Sequence, residues 1–538
     1  MHYLRRSNYA RNMFFLIPIA TIGITILLYS TYLGVGVSPD STRYITAANS
    51  LIDGTGLKIL APNGGFEPLT LWTPFYPIIL SVFGWLGADI LNAARVWNAL
   101  MLGANVLLVG LIVARITIPS RIAPVVGSML MLISVDIVSV HAWVWSDPTT
   151  MFFGFLGFLL IDHFLVEKKF VFLVTSAICC GLALITRYAA IPFMAVGIIA
   201  LLLFQRGERL IKRFLLSITY AVLSLAPLII WVIRNQSLTG NSIGRAIGFD
   251  AEQLRRLEVG LAVVSDWILP GRISGEIRGW IGLLFLLGWL AAAVIYGIVK
   301  SKDEYKSKHH APLTYLPQLI VFFFLLYSSM LLLGMTLFKP GFPLNNRILT
   351  LLYVAIVIGS IGIAHEVFHG IQLRVLNSGT CEKKMWKTSI LVFIILIIGW
   401  VGFQLVHTGK WTQGAYNKGL GYASRSWRDS SEIKYIKDLP VDALIYSNGP
   451  DAIYFLTDRR TKLLPGNVQD VYTLSYVERS SIDNMKDDLL RQGGYIVYFR
   501  GITWRDTLKE NELHQLMNLE PIFGTESGSI FTLEEVGQ

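Results

Sequence analysis

Long apolar blocks and short polar segments alternate along this chain. Eleven apolar stretches lie between residues 13 and 406. They cover residues 13–33, 93–114, 122–141, 148–166, 170–186, 189–204, 214–233, 279–299, 313–335, 347–364 and 388–406. A helix needs roughly 20 apolar residues to cross a bilayer, so the pattern predicts an α-helical polytopic membrane protein with about 11 transmembrane helices. The stretches 170–186 and 189–204 are short, and a hairpin that does not fully cross the membrane is the alternative there.

Residues 34–92 form a long segment between the first two apolar stretches. Apolar positions recur at helical spacing from Tyr44 to Ile52, and the run Asp53-Gly54-Thr55-Gly56 then interrupts the pattern. A second apolar helix of about 14 residues is predicted after Pro74, too short to span and suited to the membrane interface. We therefore expect two interfacial helices in this loop.

The last part of the chain has the pattern of a soluble domain. Residues 443–446 and 495–499 are typical of buried strands, and residues 481–491 and 508–519 of amphipathic helices. The sequence thus predicts two domains: a transmembrane domain over 1–406, which includes the loop 34–92, and a small α/β domain over 407–538.

Charge indicates the orientation of the chain. Only 15% of the residues are charged and 53% are apolar, whereas soluble proteins carry about 25% charged residues. With a cytoplasmic N-terminus, 19 of the 31 Lys and Arg residues before position 407 fall on the cytoplasmic side, as the positive-inside rule requires. We expect a multi-pass protein of the plasma (inner) membrane with an extracytoplasmic C-terminal domain. The net charge of +10 then reflects topology, and no basic patch interleaved with aromatic residues suggests nucleic-acid binding.

Asp40 is the first candidate for chemistry. It follows Ser38 and Pro39 just after the first apolar stretch, where either Ser38 or Asp40 is a suitable N-cap and Pro39 a suitable first helical residue. A carboxylate there is also a candidate general base, because a helix N-terminus favours its ionised form. Capping and catalysis are compatible, and the sequence leaves both open.

Two further acidic residues are expected on the extracytoplasmic side. Glu67 precedes the second interfacial helix, where it can hold a metal, orient a sugar hydroxyl or be solvated. Asp147 lies in the segment Trp143-Val144-Trp145-Ser146-Asp147-Pro148 between two spans. Asp followed by Pro is also a good helix start, so capping is the simpler explanation of Asp147.

Arg187 and Arg347 interrupt apolar sequence at the expected outer boundary of the membrane. Ionisable residues at such positions are costly and usually face a cavity or a charged partner. Guanidinium groups match phosphate oxygens in a bidentate manner. The pair therefore suggests an anionic lipid head group, with interfacial snorkelling as the alternative.

The segment His365-Glu366-Val367-Phe368-His369 matches the zinc-protease pattern HExxH. We expect it at the cytoplasmic end of a span, followed by a loop, and no third ligand of a recognisable kind stands nearby. An intramembrane metalloprotease is therefore a remote alternative.

The motifs of the first loop resemble the GT-C superfamily of membrane glycosyltransferases. The order Asp40, Tyr44, Ala47, Ala48, Leu51, Asp53, Gly54 is similar to the loop of the bacterial relatives of protein O-mannosyltransferases and lipid A aminoarabinose transferases. The run Trp72-Thr73-Pro74-Phe75-Tyr76-Pro77 resembles their Pro-Pro-Leu-Tyr segment. Thr186-Arg187-Tyr188 resembles their Thr-Lys/Arg turn, and Asn345-Asn346-Arg347 a late Arg-Tyr element in which Ile348 replaces Tyr.

This resemblance implies a sugar donor linked to polyprenyl phosphate and an inverting transfer to a lipid, glycan or protein acceptor. It implies that Asp40 is the base, that Arg187 and Arg347 hold the donor phosphate, and that Tyr44, Glu67, Tyr76 and Asp147 contact substrate. An acidic pair is common in the family loop, but here Ser41 follows Asp40, and the family's metal-linked residues are not clearly present. We therefore expect no cofactor and no essential metal, with a divalent metal as the alternative.

Two other classes compete with the enzyme. A transporter or flippase of lipid-linked sugars would use the two arginines but would need no base. Transporters often contain inverted repeats and helices broken by Gly or Pro; no repeat is evident here, although Pro192 and Pro227 interrupt spans. A receptor or scaffold whose C-terminal domain binds a partner is the third class.

Overall fold

The computed structural model of the chain describes residues 2–205, 207–240, 246–247, 253–269, 275–306, 314–339, 343–377, 380–466, 480–505 and 507–533. Its helices are α1 His2–Ser30, α2 Pro39–Ile52, α3 Phe75–Trp85, α4 Ile90–Ile116, α5 Ile122–Leu132, α6 Val135–His141, α7 Asp147–Glu167, α8 Phe170–Thr186, α9 Ile191–Phe204, α10 Leu210–Thr239, α11 Gln253–Ile268, α12 Gly275–Lys306, α13 Leu316–Leu337, α14 Asn346–Asn377, α15 Thr380–Lys418, α16 Arg425–Arg428, α17 Ser431–Asp438, α18 Pro450–Thr457, α19 Ser480–Gln492 and α20 Glu510–Leu516. Its strands are β1 Lys58–Leu60, β2 Phe66–Pro68, β3 Ala246–Ile247, β4 Phe338–Lys339, β5 Ile445–Ser447, β6 Lys462–Leu463, β7 Tyr495–Phe499, β8 Leu519–Gly524 and β9 Gly528–Leu533.

Each predicted apolar stretch lies mostly on a helix, and the stretch 122–141 is divided between α5 and α6. Among the described residues, eight helices are long and apolar enough to cross a membrane, and α5 with α6 makes a ninth if this pair, bent by 64°, is one span. Residues 170–186 and 188–204 form shorter apolar helices. A helical membrane protein is therefore confirmed, whereas the count of eleven spans stays a prediction.

The internal contacts of the described residues divide the chain into two compact units. The first comprises residues 1–30, 96–234 and 247–414, and the second comprises residues 31–95, 235–246 and 415–538. The first unit contains most of the long apolar helices. The second combines the loop after α1 with the C-terminal part of the chain.

Close helix packing in the first unit depends on small residues. A side chain at Gly154 of α7 would collide with Phe193 of α9, and one at Gly157 would collide with Cys180 of α8. Small residues let helix backbones approach closely in membranes, where dispersion contacts drive association. These glycines therefore fix the arrangement of α7, α8 and α9.

A buried ion pair stabilises one end of this helical bundle. Asp162 of α7 accepts a hydrogen bond from Nε of Arg115 at 2.5 Å. Its other carboxylate oxygen accepts from the Thr314 hydroxyl at 2.9 Å and from the Tyr315 backbone N–H at 2.5 Å. Both carboxylate oxygens are thus satisfied, which is what a buried charge needs.

The second unit has a five-stranded mixed sheet of order β6-β5-β7-β9-β8. Strands β6, β5 and β7 are parallel, and β9 runs antiparallel to both β7 and β8. Neighbouring residues of each strand point to opposite faces: Ile445, Val497 and Ile530 pack with α17 and α18, and Tyr446, Ile496 and Phe531 pack with α19 and α20. Helices therefore cover both faces, and the small C-terminal α/β domain is confirmed.

One predicted element of this domain is wrong at its end. The helix predicted over 508–519 covers only Glu510–Leu516, and Leu519 begins β8. Strands β8 and β9 form a hairpin that extends the sheet beyond β7. Leu519 pairs with Leu533 there, and this long-range pairing outweighs the local helical pattern.

The loop after α1 packs with the C-terminal part of the second unit. Val37 forms a parallel bridge with Gly421, and the Leu463 backbone N–H donates to the Pro62 carbonyl at 2.7 Å. The loop also contains the hairpin β1–β2, which the sequence pattern did not predict. The hairpin and the bridge hold the loop on the domain.

Candidate functional site

Asp40 lies in the first turn of α2. Ser38 is the N-cap: its extended backbone precedes the helix, and its hydroxyl accepts a hydrogen bond from the Ser41 N–H at 3.3 Å. Pro39 occupies the first helical position, so the start of α2 is specified without the Asp40 carboxylate. The half-buried Asp40 is therefore not the N-cap, and it lies at the helix end where the dipole interacts favourably with negative charge.

The helix that carries Asp40 is anchored along most of its length. Residues from Ser41 to Ala48 are all buried. The ring of Tyr44 packs edge-on against that of Tyr76 in α3, with ring centroids 5.3 Å apart. The two tyrosines predicted at the substrate are thus brought together. Both are fully buried, with 2% and 0% exposure, so they also form the core between α2 and α3.

Arg43 is a residue that the motif analysis missed. It is 8% exposed, and its guanidinium lies 4.5 Å from the ring centre of Trp72. It follows Asp40 by three positions, and residues at this spacing are neighbours on a helix surface. Because the sequence predicts where α2 begins, this spacing could have identified Arg43.

Glu67 lies on strand β2, opposite Ile59 of β1. The preceding Phe66 contacts the ring of Tyr454 and lies under the guanidinium of Arg460. Glu67 therefore belongs to the hairpin by which the loop packs on the C-terminal domain.

In the first unit, Arg187, Arg347 and Asp147 form one cluster. Arg187 Nη1 donates to Asp147 Oδ2 at 2.9 Å, and Arg347 Nε donates to the same oxygen at 2.8 Å. The side chains are 20%, 12% and 7% exposed, respectively. Two cations and one anion leave a net charge of +1 in a largely desolvated place. Such a cluster is suited to an additional anion.

The helix ends place these three side chains together. Asp147 begins α7, Arg187 is the extended residue directly after α8, and Arg347 lies in the first turn of α14. The Asp147 carboxylate bonds to the two arginines, so the capping explanation alone does not account for it. The start of α14 is fixed by Asn345 Oδ1, which accepts from the Ile348 N–H at 3.2 Å, and by Tyr327, whose hydroxyl donates to the Ile348 carbonyl at 2.7 Å.

A pair of aromatic residues that the sequence analysis did not single out packs beside Arg347. Its guanidinium lies 4.3 Å from the ring centre of Trp145, and Trp145 stacks on Trp143 with a centroid distance of 5.1 Å. Asn98 fixes this segment by donating from Nδ2 to the Trp143 carbonyl at 2.5 Å. Arg stacked on Trp gains cation–π attraction and loses conformational freedom. The run Trp143-Val144-Trp145 just before Asp147 could have indicated this aromatic pair.

Asp136 is a second residue that the sequence did not indicate. It is 8% exposed and lies on α6. Its Oδ1 accepts from Asn346 Nδ2 at 2.5 Å and its Oδ2 from Trp267 Nε1 at 2.9 Å. Asn346 precedes Arg347 in the chain, so Asp136 positions the start of α14.

The HExxH segment does not lie at a helix end. Helix α14 continues beyond His369 to Asn377, so the expectation of a following loop is wrong. The prediction ended this helix with the apolar stretch 347–364, but the backbone hydrogen bonds of α14 continue beyond that stretch. Over the parts of the chain that the structure describes, no group of three His, Cys, Asp or Glu side chains is placed to hold a metal ion.

Solved structures match this fold over nearly the whole chain. No protein-family model matches, and no curated protein matches by sequence. ArnT from Cupriavidus metallidurans bound to undecaprenyl phosphate is 12% identical, with a TM-score of 0.55, and the match covers 97% of this chain and 99% of that one. The archaeal oligosaccharyltransferase AglB from Archaeoglobus fulgidus is also 12% identical over 90% of this chain and 69% of that one, with a TM-score of 0.49. The likeness to ArnT confirms the GT-C fold that the loop motifs predicted.

Proposed function

Because the chain has the fold of the GT-C glycosyltransferases, we propose that it is an integral membrane glycosyltransferase. It moves a sugar from a polyprenyl-phosphate-linked donor to the hydroxyl group of an extracytoplasmic acceptor. The observation that carries this proposal is the pair of guanidinium groups that converge on one oxygen of Asp147. ArnT, which shares the fold, was solved with undecaprenyl phosphate bound.

Arg187 and Arg347 bind the phosphate of the donor and stabilise it as the leaving group. Each guanidinium has a planar set of donors that matches phosphate oxygens, and Arg347 is held in place by Trp145 as well as by Asp147. Preorganised cations at a developing negative charge are a large source of catalysis, because they need no rearrangement during the reaction. Asp147 fixes the separation of the two cations and keeps their mutual repulsion low.

Asp40 acts as the general base. Its carboxylate takes the proton of the acceptor hydroxyl while the acceptor oxygen attacks the anomeric carbon of the sugar. The bond between that carbon and the phosphate oxygen breaks, and polyprenyl phosphate leaves with the electron pair. Attack opposite the leaving group inverts the anomeric configuration. Tyr44, Tyr76 and Glu67 shape the loop side of the substrate site.

We further propose that the reaction needs no divalent metal, since two fixed guanidinium groups can neutralise the leaving phosphate. Transfer in the presence of a chelator tests this point. A loss of transfer that Mg²⁺ or Mn²⁺ restores would contradict it.

The function is tested with the purified protein in proteoliposomes. Radiolabelled polyprenyl-phosphate sugars are supplied together with lipid, glycan and peptide acceptors, and label is measured in each acceptor fraction. Transfer from at least one donor is expected, with release of polyprenyl phosphate. Movement of the labelled donor between leaflets without transfer would instead establish a flippase.

A further inference from the structure

The C-terminal domain contains an open cleft beside the end of its central strand. Its lining residues come from the carboxyl end of β7, the segment after it and α20, and include Arg500, Trp504, Glu510 and Asn511; its volume is about 940 Å³. Ligands of open α/β sheets bind outside the carboxyl ends of the parallel strands. Small-molecule sites usually occupy about 300–1,000 Å³. The cleft therefore has the position and the size of a binding site.

The lining of the cleft combines an indole face with fixed polar groups. Trp504 is 44% exposed. Arg500 and Glu510 form a planar fork with two hydrogen bonds of 2.8 Å each, and Ser529 donates to Glu510 Oε1 at 2.7 Å. The side chain of Asn511 adds an exposed amide. The charges of Arg500 and Glu510 cancel, but their edges still present donors and acceptors.

These features match the surface of a sugar. One face of a pyranose ring exposes C–H groups that pack on an indole, and its edge exposes hydroxyl groups that donate and accept hydrogen bonds. A peptide that adds to a sheet edge is disfavoured here, because β7 is flanked by β5 and β9 and offers no open backbone edge. A saccharide therefore fits the lining of the cleft better than a peptide does.

One side chain lines both the cleft and a small cavity beside the helix that carries Asp40. Arg505 lines the cleft and also lines a cavity of about 30 Å³ bounded by Thr42 and Arg43 of α2. Its guanidinium is fixed by Asp451 Oδ1 at 2.9 Å and by the Asn448 carbonyl at 3.0 Å, and its side chain is 4% exposed. The two cavities are therefore neighbours that share one rigid side chain.

We infer that the cleft around Trp504 binds a glycan part of the acceptor other than the sugar residue whose hydroxyl group reacts. This inference rests on the proposed transferase function, because that function makes Asp40 the base. The acceptor is then a glycan chain or a molecule that carries one. The C-terminal domain selects the acceptor, while the helical bundle binds the donor.

Binding of defined oligosaccharides tests the inference. The full-length protein in nanodiscs is titrated with linear tetrasaccharides of glucose, galactose, mannose and N-acetylglucosamine, and with a decapeptide, by calorimetry. At least one tetrasaccharide is expected to show saturable binding. Trp504→Ala should weaken this binding by about tenfold or more, because a Trp that a ligand covers often contributes much of the binding energy. Trp504→Phe should retain part of the affinity. Leu490→Ala, at a 66% exposed position of α19, is the matched control and should change nothing.

Three results would overturn the inference: no tetrasaccharide binds, Trp504→Ala binds as wild type does, or only the decapeptide binds. Asn511→Ala provides a second variant, so that misfolding of Trp504→Ala, detected by its melting temperature, does not decide the outcome. The proposed transferase can fail separately: wild type would then bind the tetrasaccharide but transfer no sugar. If transfer occurs and binding is unaffected by both variants, the cleft inference alone is wrong.

Discussion

Replacing Asp40 by Asn separates catalysis from helix stability. The substitution keeps the shape of the side chain and removes its basicity. Ser38 already caps α2 through the Ser41 N–H, so the cap survives the change. The loss in stability is then limited to the interaction of the charge with the helix dipole, about 0.3–1 kcal/mol.

The expected loss in rate is much larger. A general base typically contributes about 10²–10⁴-fold, which corresponds to about 3–5 kcal/mol of activation free energy. Ser38→Ala should show the opposite balance: removal of the N-cap costs about 1 kcal/mol of stability, and the base remains. Asp53→Asn, at the exposed C-terminal end of the same helix, controls for the loss of a negative charge in the loop.

Both quantities are measurable for each purified variant. Single-turnover transfer in proteoliposomes gives the chemical rate, and thermal unfolding in detergent gives the stability. Asp40→Asn should bind donor normally, lose at least about a hundredfold in rate and change little in melting temperature. If Asp40→Asn transfers sugar within tenfold of wild type, or if Ser38→Ala is equally slow, Asp40 is not the base.

Three further predictions concern other parts of the chain. Arg347→Lys keeps the charge but loses the stacking on Trp145 and the planar set of donors. The KM for donor should therefore rise about tenfold, and kcat should also fall, because the leaving phosphate is less well stabilised. If KM and kcat are both unchanged, Arg347 does not bind the donor phosphate. The hydrogen bond from Arg500 lowers the pKa of Glu510 below its ordinary 4.5, so the stability from this pair is present above pH 4.5 and is lost as the pH falls through the lowered value. The gap in melting temperature between wild type and Glu510→Gln should therefore shrink between pH 5 and pH 3, and a constant gap would contradict it. A cysteine at Leu60 should react with an impermeant thiol reagent in whole cells and one at Glu304 should not, and the reverse pattern would invert the orientation.

Local pattern was sufficient for the helical membrane architecture and for much of the loop. Apolar length determines which segments can cross a membrane, because unpaired backbone groups are too costly in lipid for other structures. The end of α2 was also predicted from local sequence. The helix ends at Ile52, and Gly54 and Gly56 adopt positive φ, which glycine tolerates best. Strand β7 was likewise predicted with its observed bounds, since a short β-branched and aromatic run between turns is a local signal.

Other features depended on which segments meet in space. The sequence supplied Asp147, Arg187 and Arg347 as separate candidates 40 and 200 residues apart, and only the folded helices bring them to one oxygen atom. The same is true of the β8–β9 hairpin, whose pairing outweighed a helical pattern, and of the Trp504 cleft, which is lined by residues from β7, the segment after it and α20. Local propensity is set by a residue and its neighbours in the chain. The convergence of charges and cavities is set by packing between distant segments, which no local pattern encodes.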